Sequence, residues 1–155
     1  MTILQNLDAT RDETLEYFDG NVSQLNATYA PGKWTVRQLL HHLADSETVL
    51  LERIKRVLSE GRRVLWAFDQ EAWALTLDYD RLPLAISRDQ YRAARASARH
   101  LAERFYESHG ALEWVHSETG VRTLRDEMDK VAWHNEHHLG QIRAAMQSAP
   151  RGVGE

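Results

Sequence analysis

The sequence predicts an all-α protein, a four-helix bundle with long crossover connections, and three observations carry that expectation. Four stretches repeat apolar residues at three- and four-residue spacing. Three of them open on Thr or Ser followed three residues on by Gln or Asp, the pattern of a helix N-terminal cap. No set of long alternating segments supplies a sheet of any size.

The first helix is expected over roughly residues 3 to 20, with Leu4, Leu7, Leu15 and Phe18 on its apolar side and Gly20-Asn21 as its stop. The turn Ala30-Pro31-Gly32-Lys33 precedes the second, which opens on Thr35 and Gln38 and runs to Gly61. Val36, Leu40, Leu43, Leu50, Ile54 and Val57 form its buried stripe. The third is expected from Ser87 and Gln90 to about Ser108, with Tyr91, Ala94, Ala98, Leu101 and Phe105 inward. Arg92, Arg95 and Arg99 share another of its faces, which reads as a solvated stripe rather than a nucleic-acid surface. The fourth starts near Thr123, capped towards Asp126, and ends near Gln147.

Two connections stand out. Residues 61 to 86 are long for a bundle loop yet hold Trp66, Phe68, Trp73, Leu75, Leu77, Tyr79, Leu82 and Leu84, so they are expected to be ordered and to cover one end of the core or a dimer surface. The segment from Trp114 to Thr123, with Glu118-Thr119-Gly120 between short alternating stretches, reads as a small hairpin. Residues 1–150 are expected to make one domain, with 151–155 a frayed tail.

Composition narrows the function. The chain has 155 residues, 43% hydrophobic and 27% charged, with a net charge of −4, so no basic field recruits nucleic acid or anionic lipid. The first residues hold no apolar core of a signal peptide, and no apolar run reaches the roughly 20 residues of a membrane span, so a cytoplasmic location is the expectation. There is no cysteine. That excludes disulfides, cysteine-bound zinc and a cysteine nucleophile, and any thiol chemistry must use a thiol brought by the substrate. A metal would be held by the eight histidines and the carboxylates, which suits Zn, Ni, Fe or Mn.

His134 and His138 are four residues apart, one helical turn, so both imidazoles share a face. On a wheel at about 100° per residue centred on Val131, His138 falls about 20° away and His134 about 60°, whereas His137 lies near 120° and Glu136 points almost backwards. The inward pair is therefore His134 and His138. On the second helix His42 lies about 110° from the stripe and His41 about 150°, which places His42 nearer the bundle. Taken alone, such a histidine pair is more often surface or hydrogen-bonded core than a metal site. Glu47 falls on the core stripe, where a carboxylate is costly unless it is paired or ligating. It is a candidate fourth ligand, a partner to the ligands or an acid/base group, or it simply bonds Arg53 or a tryptophan. His100, His109 and His116 have no partner spacing and read as surface residues.

Pro31-Gly32-Lys33-Trp34-Thr35-Val36 leading into HHLADSE, AWHNEHHLGQI on the last helix, AFDQEAWALTLDYDRLP in the middle and the Glu118-Thr119-Gly120 turn together resemble the DinB-like superfamily. The likeness is closest to its YfiT-type branch of metal-dependent hydrolases and bacillithiol S-transferases, and it runs over nearly the whole chain. It implies a four-helix bundle holding a divalent metal, often nickel or zinc, through His42, His134 and His138. Three imidazoles leave a coordination position open, the mark of a catalytic site. The expected function is transfer of a low-molecular-weight thiol to a small electrophile. The alternatives are hydrolysis of a small ester or amide, or a non-catalytic, stress-related metal- or ligand-binding bundle. A homodimer is expected.

Overall fold

In the computed structural model residues 1–149 are described. The expected tail, 151–155, lies outside them. Four long helices carry the architecture: α1 (Ile3–Tyr17), α3 (Val36–Glu60), α5 (Leu84–His109) and α6 (Leu124–Ser148). Two short helices, α2 (Val22–Leu25) and α4 (Gln70–Thr76), and three short strands, β1 (Val64–Leu65), β2 (Glu113–His116) and β3 (Gly120–Thr123), occupy the connections. α1 and α3 each lie against both α5 and α6, which makes a four-helix bundle.

The predicted start signals of α3 and α6 act as read. Thr35 N–H donates to Gln38 Oε1 at 2.9 Å while Gln38 N–H donates to Thr35 Oγ1 at 3.2 Å. Thr123 and Asp126 make the same reciprocal box on α6, at 2.8 and 3.1 Å. Each box satisfies two backbone donors that a helix start leaves orphaned. Gly61 closes α3 with φ 76°, a left-handed conformation that favours glycine.

The start of α5 is a correction. It begins at Leu84 behind Pro83, so Ser87 and Gln90 lie inside the helix. Their side chains turn to α3 instead: Ser87 Oγ is 2.7 Å from His41 Nδ1, and Gln90 Nε2 donates to Ala44 O, Asp45 Oδ1 and Thr48 Oγ1.

The expected hairpin is β2–β3, and it gains a third strand: β1 pairs in parallel with β2, Val64 opposite Val115 and Leu65 opposite His116. Trp114, fully buried, roofs one end of the bundle and donates from Nε1 to Thr123 O at 3.2 Å. Gly110 turns α5 into this sheet; a Cβ there would collide with the Tyr106 carbonyl oxygen, so the close approach needs glycine.

Buried apolar residues form two clusters rather than one. One gathers Leu50, Leu51, Ile54, Ala98, Trp114, Met128 and Val131, the other Val36, Leu40, Leu43, Tyr91 and Ile142. Between them lies a polar layer made by Glu47, Arg95 and Asn135, all at most 3% exposed. Arg95 belongs to the stripe read as solvated, and its full burial is a correction. Its Nε and Nη2 reach Glu47 at 2.5 and 3.0 Å, Nη2 also Asn135 Oδ1 at 2.6 Å, and Nη1 reaches Leu7 O at 2.9 Å and Thr10 Oγ1 at 2.8 Å. Asn135 accepts from Tyr91 Oη at 2.5 Å and donates to Thr14 at 2.8 Å. One network thus pins all four long helices in register.

Candidate metal centre

α3 and α6 bring His42, His134 and His138 to one point. His134 Nε2 is 3.2 Å from His42 Nε2 and 3.2 Å from His138 Nε2. The ligand atoms of all three lie within 4.8 Å of one another. An ion at about 2.0–2.1 Å from each nitrogen, with roughly tetrahedral angles, spaces its ligands about 3.3 Å apart, so the geometry fits. The donor set fits as well, since imidazole nitrogens suit Zn, Ni, Cu and Fe.

Electrostatics point the same way. Burial pushes His42 down to about 3 and His134 down to about 2, and it lowers His138 too; the neighbouring imidazoles add to the first two shifts. All three are therefore neutral at pH 7, the form that ligates. His138 is also held in one tautomer: its Nδ1–H donates to Gln141 Oε1 at 2.7 Å, which leaves the Nε2 lone pair facing the cluster. Gln141 Nε2 in turn donates to Tyr29 Oη at 3.3 Å. His42 is boxed by the rings of Trp34, 5.0 Å away, and Phe68, 6.3 Å away.

The other candidates fall elsewhere. Glu47 is not in the cluster; its carboxylate is fully engaged by Arg95, not by the Arg53 the sequence suggested. His41, expected on the solvent side, is fully buried and lies beneath Tyr79, whose ring is 5.3 Å away and whose hydroxyl donates to Asp45. The connection of residues 61 to 86 folds over that face, which an isolated helical wheel does not represent. His116, read as a surface residue, is 8% exposed and accepts from the Glu118 and Thr119 amides at Nδ1. His100 and His109 are exposed, as expected, and so is His137.

A cleft of about 670 Å³ opens from His134 between α3 and α6. Leu50, Ala67, Phe68 and Trp133 give it apolar walls, and the buried pair Arg53 and Glu127 also lines it. Sequence reading missed this pair. The two are 3% exposed, joined by a single 3.2 Å contact, and Arg53 Nη2 donates to Trp66 O at 2.8 Å. Burial raises the Glu127 carboxyl above its ordinary range even though Arg53 opposes the shift.

Fold and site define a class: a four-helix bundle with an open three-histidine centre beside a substrate-sized cleft. Residues 6–142 match the DinB superfamily, and the chain belongs to it. It is 34% identical over 128 residues, 83% of its own length and 73% of the relative's, to an Oceanobacillus iheyensis protein named "Putative metal-dependent hydrolase OB0413". It is 28% identical over 145 residues to "Putative metal-dependent hydrolase YfiT" of Bacillus subtilis, covering 90% of this chain and 78% of that one. A solved structure of the Bacillus subtilis YfiT, described as "a probable metal-dependent hydrolase with an unusual four-helix bundle topology", superposes with a TM-score of 0.80 at 26% identity. That match covers 94% of this chain and 82% of the other. Relatives and histidine cluster together support a divalent metal at this site.

Proposed function

We propose that the protein is a metal-dependent transferase that moves a low-molecular-weight thiol onto a small electrophile, with zinc or nickel held by His42, His134 and His138. When bound, such an ion would supply Lewis acidity that lowers the pKa of a coordinated thiol or water. The observation that carries the choice of thiol is the absence of a free carboxylate at the cluster among the described residues. Glu47 is tied to Arg95, and Glu136 is bound by Arg143 on the outer side of α6. Glu127 sits about 10 Å of helix rise from His134. A metal brings bound water to a pKa of about 7, but ester or amide hydrolysis gains further from a group that shuttles protons to the leaving group, whereas a coordinated thiol is deprotonated outright and needs no such group.

The chain's own residues orient and enclose. Gln141 fixes the His138 ring, and Phe68, Leu50 and Trp133 offer an apolar wall to an electrophile while excluding water. In the reaction R–SH loses its proton to solvent, sulfur attacks the electrophilic carbon, and the leaving group departs with its electron pair; R–S–C forms as C–X breaks. Hydrolysis of a small ester or amide is the second reading, favoured by the relatives' names. The test is conjugation of cysteine or glutathione to monochlorobimane by protein loaded with zinc or nickel, alongside p-nitrophenyl acetate hydrolysis. Conjugation abolished by chelator and restored by metal supports the first reading. Conjugation at the uncatalysed rate, with metal-dependent ester cleavage, replaces it with the second.

A further inference from the structure

We propose that residues 68–78, which carry α4, form a flap that opens and closes over the metal centre, with Phe68 and Trp73 as the side chains that hold it shut. This rests on reading the cleft as a substrate site, and it applies to either reaction considered above.

Both ends of the segment are pinned. On one side Leu65 O accepts from Ser117 N–H at 3.0 Å, Trp66 O from Arg53 Nη2 at 2.8 Å, and Ala67 N–H donates to Ser117 Oγ at 2.9 Å. On the other, Tyr79 is buried against His41 with its hydroxyl on Asp45. Gln38 Nε2 donates to Asp80 Oδ1 at 3.1 Å and Arg37 Nη1 to Leu82 O at 3.0 Å. Between the pins the pattern stops. Among the described residues, every hydrogen bond and ion pair of residues 68–78 stays within residues 68–82.

α4 cannot hold its own place. It has seven residues, none of them buried, and Leu75 is 83% exposed. Isolated helices shorter than about 12–15 residues are marginal in water, so its position depends on what it packs against. That is two half-buried rings. Phe68 lies 6.3 Å from the His42 ring and nearly parallel to it, at 25°, and Trp73 sits 4.8 Å from Phe68. A segment with few buried apolar contacts and no bonds to its surroundings opens locally, well below the cost of global unfolding. Asp78 marks the hinge. It has φ 53°, a left-handed conformation that no other non-glycine residue adopts among the described residues, and it directly precedes the Tyr79 pin.

The flap supplies a wall of the cleft. Leu50 and Trp133 stand on α3 and α6, and Ala67 is pinned by Ser117, so of the apolar wall residues Phe68 alone is free to leave. Its departure uncovers His42, which is fully buried with the segment in place. Open, the flap admits a ligand wider than the closed cleft; closed, it shields the centre from water.

The test exploits the absence of cysteine, which makes introduced cysteines the only labelling sites. Nitroxides on Leu75→Cys/Lys55→Cys, both exposed positions, report the flap against α3. Nitroxides on Lys55→Cys/Arg104→Cys report two long helices and serve as the reference. Pulsed electron–electron resonance on the zinc-loaded full chain should give a distance distribution about twofold broader for the flap pair, with two maxima. Phe68→Ala/Trp73→Ala should move most of the population to the open maximum, with the long helices intact by circular dichroism. A flap pair as narrow as the reference overturns the gate, and an unchanged distribution in the double variant overturns the role of the two rings. The conjugation assay reads the chemistry separately. A moving flap on a protein inert towards thiols keeps the gate and counts against thiol transfer; a fixed flap on a conjugating protein does the reverse.

Discussion

Arg95 on α5 grips Glu47 on α3 through two contacts of 2.5 and 3.0 Å, in a side-chain pair that is 0% and 3% exposed. Glu47 is five residues from His42 along α3, and Asn135, which also binds Arg95, follows His134 on α6. The pair thus holds the two ligand helices from behind, without touching the ligands.

Removing one partner leaves the other charged and buried. Arg95→Met is therefore expected to cost about 3–5 kcal/mol in urea unfolding. Arg95→Met/Glu47→Leu should cost clearly less than the single change, because well-packed apolar replacements of a buried pair are often close to neutral. Equal losses in the two variants would show that packing, not charge, sets the cost.

Metal content separates the ligands from their neighbours. His134→Ala should drop bound zinc or nickel to background by elemental analysis, since two imidazoles are a poor site. Glu47→Gln should keep full metal content, because that carboxylate faces Arg95 rather than the cluster. Metal retained by His134→Ala would remove the centre as drawn.

Gln141 acts through His138. Gln141→Leu deletes the acceptor that fixes the ring's tautomer, and metal affinity should fall about 10–100-fold in a competition titration. Gln141→Glu, which keeps an acceptor, should recover most of it, with thermal stability of the metal-free protein little changed in either. An affinity equal to wild type in Gln141→Leu would make the contact incidental.

Acid should weaken the metal-free protein above the carboxylate range. His41 is held at about 4, His42 at about 3 and His134 at about 2, each chiefly by burial, against about 6.5 in the unfolded chain. As pH falls below about 6.5 the unfolded state takes up protons that the native state refuses, so stability rises with pH through this window. The loss begins below about 6.5 and grows until pH passes each folded value, near 4 for His41 and lower for His42 and His134. Urea midpoints at pH 7, 6 and 5 should fall in that order. A bound ion should raise all three, and the gain should shrink towards pH 5 as protons compete for the ligands. A midpoint that is flat from pH 7 to 5 would contradict the burial of these rings.

Much of this was legible in the chain because it depends on local spacing. The boxes at Thr35 and Thr123 fix where α3 and α6 begin, and the wheel turns His42, His134 and His138 inward. What could not be read locally was satisfaction. Arg95 looks solvated until Glu47, Thr10 and Asn135 are brought to it from three other helices. A carboxylate in the stripe at Glu47 signalled that some cation had to be buried, but spacing did not say which. Ser87 mimics a cap because caps and buried hydroxyls share residue types; Pro83 starts the helix one turn earlier. The two-residue β1 has no period to detect and exists only because β2 receives it.

The convergence of His42 with His134 joins positions 92 apart in a chain that has no disulfide. An ion there works as a removable staple closing a loop of that size, and by chain-entropy reasoning a permanent cross-link over about 100 residues is worth about 4.7 kcal/mol. Metal supply would then govern folding as well as chemistry: a cell short of the ion would hold this protein not merely idle but looser, with the early and late thirds of the chain freer to part.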